Sequence, residues 1–116
     1  MRFSKKHIWV KEDGDVVMIG LSEYAISELG GVMFVNLPDE DDEIGLGEVF
    51  GDVESVKTVS DLISPVSGKV IEVNEEVVDC PEEMTGDGDS WMLKVKVSDQ
   101  EELMTEEEYT AYLQSL

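Results

Sequence analysis

Positive charge is scarce in this chain: 8 lysines and arginines stand against 28 aspartates and glutamates, a formal charge of −20. Such a surface repels phosphate, which excludes nucleic acid and anionic lipid headgroups as partners. Cysteine is reduced to Cys80, so no internal disulfide can form and a reducing cytoplasm is the expected compartment. Cys80 precedes Pro81 in a turn-like stretch, where a buried structural role is expected. Histidine is reduced to His7, which excludes a multi-histidine metal centre. No serine or cysteine has a base beside it for nucleophilic catalysis. The run Asp41-Asp42-Glu43 lacks the spacing of a calcium loop and reads as a solvated acidic segment. Apolar runs never reach the ~18 residues of a membrane span, and Met1 to Lys6 have no apolar run behind their charges. No membrane segment or secretory signal is therefore expected.

With 41% hydrophobic and 31% charged residues, the chain has the composition of a folded globular protein. At 116 residues it is expected to form one domain over 1–116. Its pattern is mainly β. Ile8-Trp9-Val10 and Val16-Val17-Met18-Ile19 flank Asp13-Gly14, a hairpin signal because glycine tolerates the positive φ of a tight turn. Ser22 is placed to cap a short helix through Tyr24, Ala25, Ile26 and Leu29, with Gly30-Gly31 as its stop. Val32 to Val35 reads as a strand ended by Pro38.

Short strands are then expected at 48–50, 53–56, 59–63 and 69–73, because β-branched residues dominate and helical period is absent. Ser64 to Gly68 reads as a turn, Asn74 to Asp79 as one helical turn, Thr85 to Asp89 as a loop and Trp91 to Val97 as the last strand. At the carboxyl end, Thr105-Glu106-Glu107-Glu108 is a capping box, and Met104 can staple onto Tyr109. Tyr109, Tyr112, Leu113 and Leu116 form the apolar stripe of a helix expected to close over the β core.

One basic residue stands apart. Lys57 is the only cation between Lys11 and Lys69, and it falls at the reversal between two strands, flanked by Glu54 and Asp61. An exposed lysine on a rigid turn suits enzymes that acylate the ε-amine, although most such lysines are merely solvated. The surrounding residues point to acylation. Glu54-Ser55-Val56-Lys57-Thr58-Val59-Ser60-Asp61, then Ser64-Pro65-Val66-Ser67-Gly68-Lys69-Val70 and Val73-Asn74-Glu75-Glu76, closely resemble the lipoate-attachment region of the glycine cleavage H-protein family. Phe3 to Val10 resembles that family's opening around H-E-W. Ile19 to Ala25 with Leu29-Gly30, then Val35-Asn36-Leu37-Pro38, resembles its helix-to-strand signature. The resemblance runs over nearly the whole chain, with the motifs in order.

It implies a barrel-sandwich hybrid of two small antiparallel sheets, of the lipoyl/biotinyl-domain type, with short helices and a carboxyl-terminal helix. It further implies lipoate held as an amide on Lys57, with Glu54 and Asp61 as the environment or recognition residues of the arm. The protein would then be a cytoplasmic, monomeric carrier with no active site of its own. Implied partners are a pyridoxal-phosphate glycine decarboxylase, an aminomethyltransferase and dihydrolipoamide dehydrogenase. A lipoate ligase or a lipoyl/octanoyl transferase would load it. Biotin domains carry Met-Lys-Met, whereas this chain has Val56-Lys57-Thr58. The family has Glu after its early histidine, where it helps hold the amine-loaded arm in a surface cleft. Here that position is Ile8, while the acidic match at Asp61 is kept. The segment from Met84 to Trp91 keeps only the tryptophan of the family's loop. The same residues suit a lipoyl carrier of another pathway, such as sulfur oxidation or a redox relay, or an unmodified interaction module. Around the arm, Glu48, Asp52, Glu54, Asp61 and the acidic loop from Asp39 to Glu43 are expected to make an almost wholly anionic face.

Overall fold

A computed structural model describes all 116 residues. β1 (Arg2–Phe3) leads to the hairpin of β2 (Ile8–Asp13) and β3 (Val16–Leu21). Only Gly14 and Asp15 separate the paired Asp13 and Val16, and Gly14 takes a φ of 66° that a Cβ would disfavour. α1 (Glu23–Leu29) begins where the Ser22 hydroxyl accepts the Ala25 N–H at 3.2 Å. It ends at Gly30 in the left-handed region, as its sequence predicts. There follow β4 (Phe34–Asn36), β5 (Glu43–Ile44), β6 (Val49–Glu54), β7 (Val59–Ile63) and β8 (Val66–Val73). α2 (Glu75–Asp79), capped by Asn74, then β9 (Leu93–Gln100) and α3 (Glu106–Gln114) complete the chain.

The strands form two antiparallel sheets, ordered β1-β2-β3-β9-β8-β5 and β4-β6-β7. They face each other without closing into a barrel. Their inner residues share one 19-residue cluster, in which Ile8 and Ile19 from the first sheet meet Val53 and Leu62 from the second. Each fully buried side chain of this kind stabilises the fold by roughly 1.5–3 kcal/mol. The mainly-β, two-sheet expectation holds.

Several local expectations are corrected. Residues 49–54 form one bulged strand where two short ones were expected, the register shifting between Val49 and Gly51. β8 starts at Val66, inside the expected turn, because the Ser64 hydroxyl donates to the Val66 carbonyl at 2.6 Å and closes the reversal early. The last strand is displaced toward Gln100, since polar residues beyond Val97 still pair with Val66 and Ser67. Residues 88–90 of the expected loop make a 3-10 turn. β1 carries no sequence signal; it is held by long-range main-chain bonds between Phe3 and Met104 of 2.9 and 2.8 Å.

Cys80 is half-buried rather than buried, at the end of α2. Desolvation, reinforced by Glu83, Glu82, Asp79 and Glu76, pushes its thiol up and leaves it a poor nucleophile.

α3 has the capping box its sequence predicts, with Thr105 Oγ1 accepting the Glu108 N–H at 3.2 Å. Its apolar face covers a different surface from the one expected. Tyr109, together with Tyr112, Leu113 and Met104, packs on a satellite cluster of Phe3 and Trp9, while Leu116 is 65% exposed beyond the helix end. Trp9 explains Gly20 opposite it in β3: a Cβ there would meet the indole at 2.5 Å.

Candidate functional site

The hairpin joining β6 to β7 reverses through Ser55, Val56, Lys57 and Thr58, closed by the Ser55 N–H donating to the Thr58 carbonyl at 2.8 Å. The Ser55 hydroxyl oxygen accepts both the Lys57 and the Thr58 N–H at 3.2 Å. A single serine thus pins the backbone on either side of Lys57. Lys57 is exposed and forms no ion pair. Its side chain leans over the corner after α1, with Nζ 3.6 Å from where a Cβ on Gly30 would stand. A lysine amine presented in this way is open to acylation, and its fixed backbone lends the attached group a defined origin.

Beside the hairpin lies a cavity of about 390 Å³ between α1 and the three-stranded sheet. Val53, Leu62, Leu21 and Leu29 make its apolar floor, and Lys6, His7, Tyr24, Glu28, Ser60 and Asp61 make its rim. The Tyr24 hydroxyl donates to Glu28 at 3.0 Å, and that bond raises the phenol above its ordinary 10.0. His7 is held below its ordinary 6.5, first by burial and then by the Lys6 charge, with Glu28 opposing. Its Nδ1 lies 2.7 Å from the Tyr109 hydroxyl. An apolar floor with charges of both signs at its rim suits a flexible chain with a polar or cationic end.

Of the residues singled out from the sequence, Asp61 lies on this rim. Glu54 pairs with Val59 at the base of the hairpin, and its carbonyl accepts the Met33 N–H at 2.7 Å. Asp52 faces Asp61 across β6 and β7 and accepts a 2.7 Å bond from Asn36. Two expected neighbours are elsewhere. Glu48 precedes β6 at the end opposite the hairpin, beside Ser64. The acidic loop is tied to β8 by main-chain bonds of Asp41 and Asp42 with Val70 and by a 3.5 Å Lys69–Asp41 ion pair.

The face is also less purely anionic than expected, because Lys6 joins the rim from far away in sequence. Sequence reasoning missed Glu28. Its signal was the Tyr24/Glu28 spacing of four, which puts both on one side of α1. Ile8, where a carboxylate was expected, is fully buried and pairs with Leu21 of the cavity floor.

The family model for the glycine cleavage H-protein matches residues 1–116. The chain belongs to that family. Its members are the lipoyl carriers of the glycine cleavage system, serving the enzymes of that system without catalysing a step. The glycine cleavage system H protein of Staphylococcus saprophyticus is 53% identical over 115 residues, covering 95% of this chain and 91% of that protein. That of Staphylococcus haemolyticus is 53% identical over 105 residues, covering 89% and 83%. The crystal structure of a glycine cleavage system H protein from Mycobacterium marinum superposes with a TM-score of 0.90 at 36% identity, covering 99% of this chain and 96% of that one. In this H-protein-family chain no helix is long and apolar enough to cross a membrane.

Proposed function

We propose that this chain, as one carrier domain over 1–116, holds lipoate as an amide on Lys57 and works in the cytoplasm as a monomeric carrier of glycine decarboxylation. The observation that carries the reading is Lys57 itself, unpaired and exposed on a serine-pinned hairpin directly beside the cavity. Lipoate supplies a long arm ending in a dithiolane, which takes up an aminomethyl group together with two electrons.

The chain's own part is to present and shelter that arm. The Ser55 bonds hold the attachment point, the apolar floor receives a hydrocarbon chain, and Glu28 offers a carboxylate to an ammonium end. Asp61 and Glu54 keep the arm's surroundings acidic. Glu28 gives the cavity a carboxylate although Ile8 does not. That arrangement favours the glycine-cleavage role over a redox relay, which has no need of an ammonium partner. The enzymes served are the pyridoxal-phosphate glycine decarboxylase, the aminomethyltransferase and dihydrolipoamide dehydrogenase, with a lipoate ligase or lipoyl/octanoyl transferase as loader.

Intact-mass analysis after incubation with lipoate ligase, lipoate and ATP should show one lipoyl increment, absent from Lys57→Ala. The loaded protein should then support glycine-dependent carbon dioxide exchange by the decarboxylase, and Lys57→Ala should support none. An increment that survives the substitution would move the attachment site. Loading at Lys57 without exchange would remove the pathway assignment.

A further inference from the structure

Large apolar side chains stand in solvent at the end of the molecule that carries Lys57. Val56 at the hairpin tip is 82% exposed, and Phe34 and Val59 are each 57% exposed. Register puts Phe34 and Val59 on one face, since both pair with Glu54, one from each side of β6. They therefore stand about 10 Å apart, two strand spacings, on the outer face of the three-stranded sheet. One pleat repeat further from the tip, that outer face is polar, with Asn36, Asp52 and Asp61 in register. Val35, Val53 and Leu62 point the other way, into the core. Glu54 stands between Phe34 and Val59 on that face, Asp52 and Asp61 lie behind it, and a separate apolar spot recurs at the far end of β6, where Val49 is 55% exposed and pairs with Ile63.

We propose that Phe34, Val56 and Val59 are the seat on which the enzyme that acylates Lys57 docks, through a surface that meets them with apolar groups and meets Glu54, Asp52 and Asp61 with basic ones. The proposal rests on the reading of Lys57 as the attachment site. Reach selects this partner over the enzymes served. The lysine side chain extends only about 6 Å, five bonds of ~1.5 Å with tetrahedral angles. An enzyme that brings an activated acyl group to Nζ must therefore press against the tip. In that step the free amine attacks the acyl carbonyl carbon of a mixed anhydride or thioester. The C–N amide bond forms, the phosphate or thiol leaves, and one proton is released from nitrogen. Enzymes that act on the loaded arm meet its far end and have no need of the sheet face. Charge selects as well: a second copy would set Asp52, Glu54 and Asp61 against carboxylates in a partner also at −20, whereas basic groups pair with them. A rigid sheet holding an exposed aromatic is preorganised for such a contact.

The test is initial-rate acylation by purified lipoate ligase with lipoate and ATP, at varied carrier concentration. Phe34→Ser and Val59→Ser should raise the KM for the carrier roughly tenfold or more. Their kcat should stay close to wild type, with the mass increment still on Lys57, and Phe34→Tyr should restore KM. Ile71→Ser and Val78→Ser, exposed apolar positions on β8 and α2, should behave as wild type. Wild-type KM in Phe34→Ser and Val59→Ser, with normal labelling of Lys57, overturns the seat and leaves the attachment reading standing. A wild-type dimer in sedimentation that Phe34→Ser dissolves, with acylation unchanged, assigns the face to a second copy and also overturns it. Failure to label wild type, or labelling that survives Lys57→Ala, removes the attachment reading and the seat with it.

Discussion

Glu28 sits one helical turn after Tyr24, takes its hydroxyl hydrogen bond and lines the cavity beside the β6–β7 hairpin. The carboxylate that the family resemblance places next to the histidine could not serve from position 8 here, because that side chain is fully buried. An ionised group there would lose its hydration with no partner to replace it. Moving the negative charge to an exposed helix position avoids that cost and keeps it at the rim. An ammonium in the cavity should gain on the order of 1 kcal/mol from such a partly solvated pairing. Glu28→Gln should therefore leave the fold and the loading of Lys57 unchanged. It should also hasten loss of formaldehyde from the amine-loaded protein, in the absence of the folate acceptor, about fivefold. Measured formaldehyde release at the wild-type rate would take Glu28 out of the site.

At the scale of elements, Tyr109 joins three of them. From α3 its hydroxyl reaches His7, just ahead of β2, at 2.7 Å, and Ser22, the cap of α1, at 2.8 Å. One donor order satisfies all three groups: Ser22 donates to the tyrosine, and the tyrosine donates to His7 Nδ1. This chain needs neutral His7, in accord with its lowered pKa. The sign follows from linkage: a histidine depressed in the folded state binds more protons when unfolded. Its share of stability is complete above 6.5 and is lost as the pH falls below it. Because His7 is the sole histidine, its NMR titration needs no assignment. The midpoint should lie below 6.5 and rise in Tyr109→Phe. Tyr109→Phe should also lose about 1 kcal/mol in urea unfolding at pH 7. That difference should shrink as the pH drops through the His7 transition. An unmoved His7 midpoint would mean that the bond does not hold the neutral form.

Across the whole molecule, most of the 28 carboxylates have no counter-charge; the ion pairs are Lys69–Asp41, Lys94–Asp13 and Lys94–Glu72. Acylation of Lys57 removes a further positive charge, leaving Lys6 as the cation of the cavity rim. Partners that approach this end should therefore present basic surfaces, and encounter should slow once salt screens beyond a Debye length, ~10 Å at 0.1 M. Reduction of the loaded arm by dihydrolipoamide dehydrogenase, measured at limiting carrier, should slow as salt rises. A flat profile would make the charge a matter of solubility alone.

Local interactions were legible in the residues themselves. The Gly14 turn, the Ser22 and Thr105 caps, the Gly30 stop and the Lys57 hairpin all depend on contacts within a few positions, so residue type and spacing determine them. The family resemblance likewise lay in ordered local motifs. The pairing of β1, the burial of Ile8, the satellite cluster under α3 and the gathering of Lys6, Glu28 and Asp61 around one cavity were decided by the tertiary structure. Each joins segments far apart in sequence, and pleat, register and sheet packing determine which side chains meet. No local pattern records those partners.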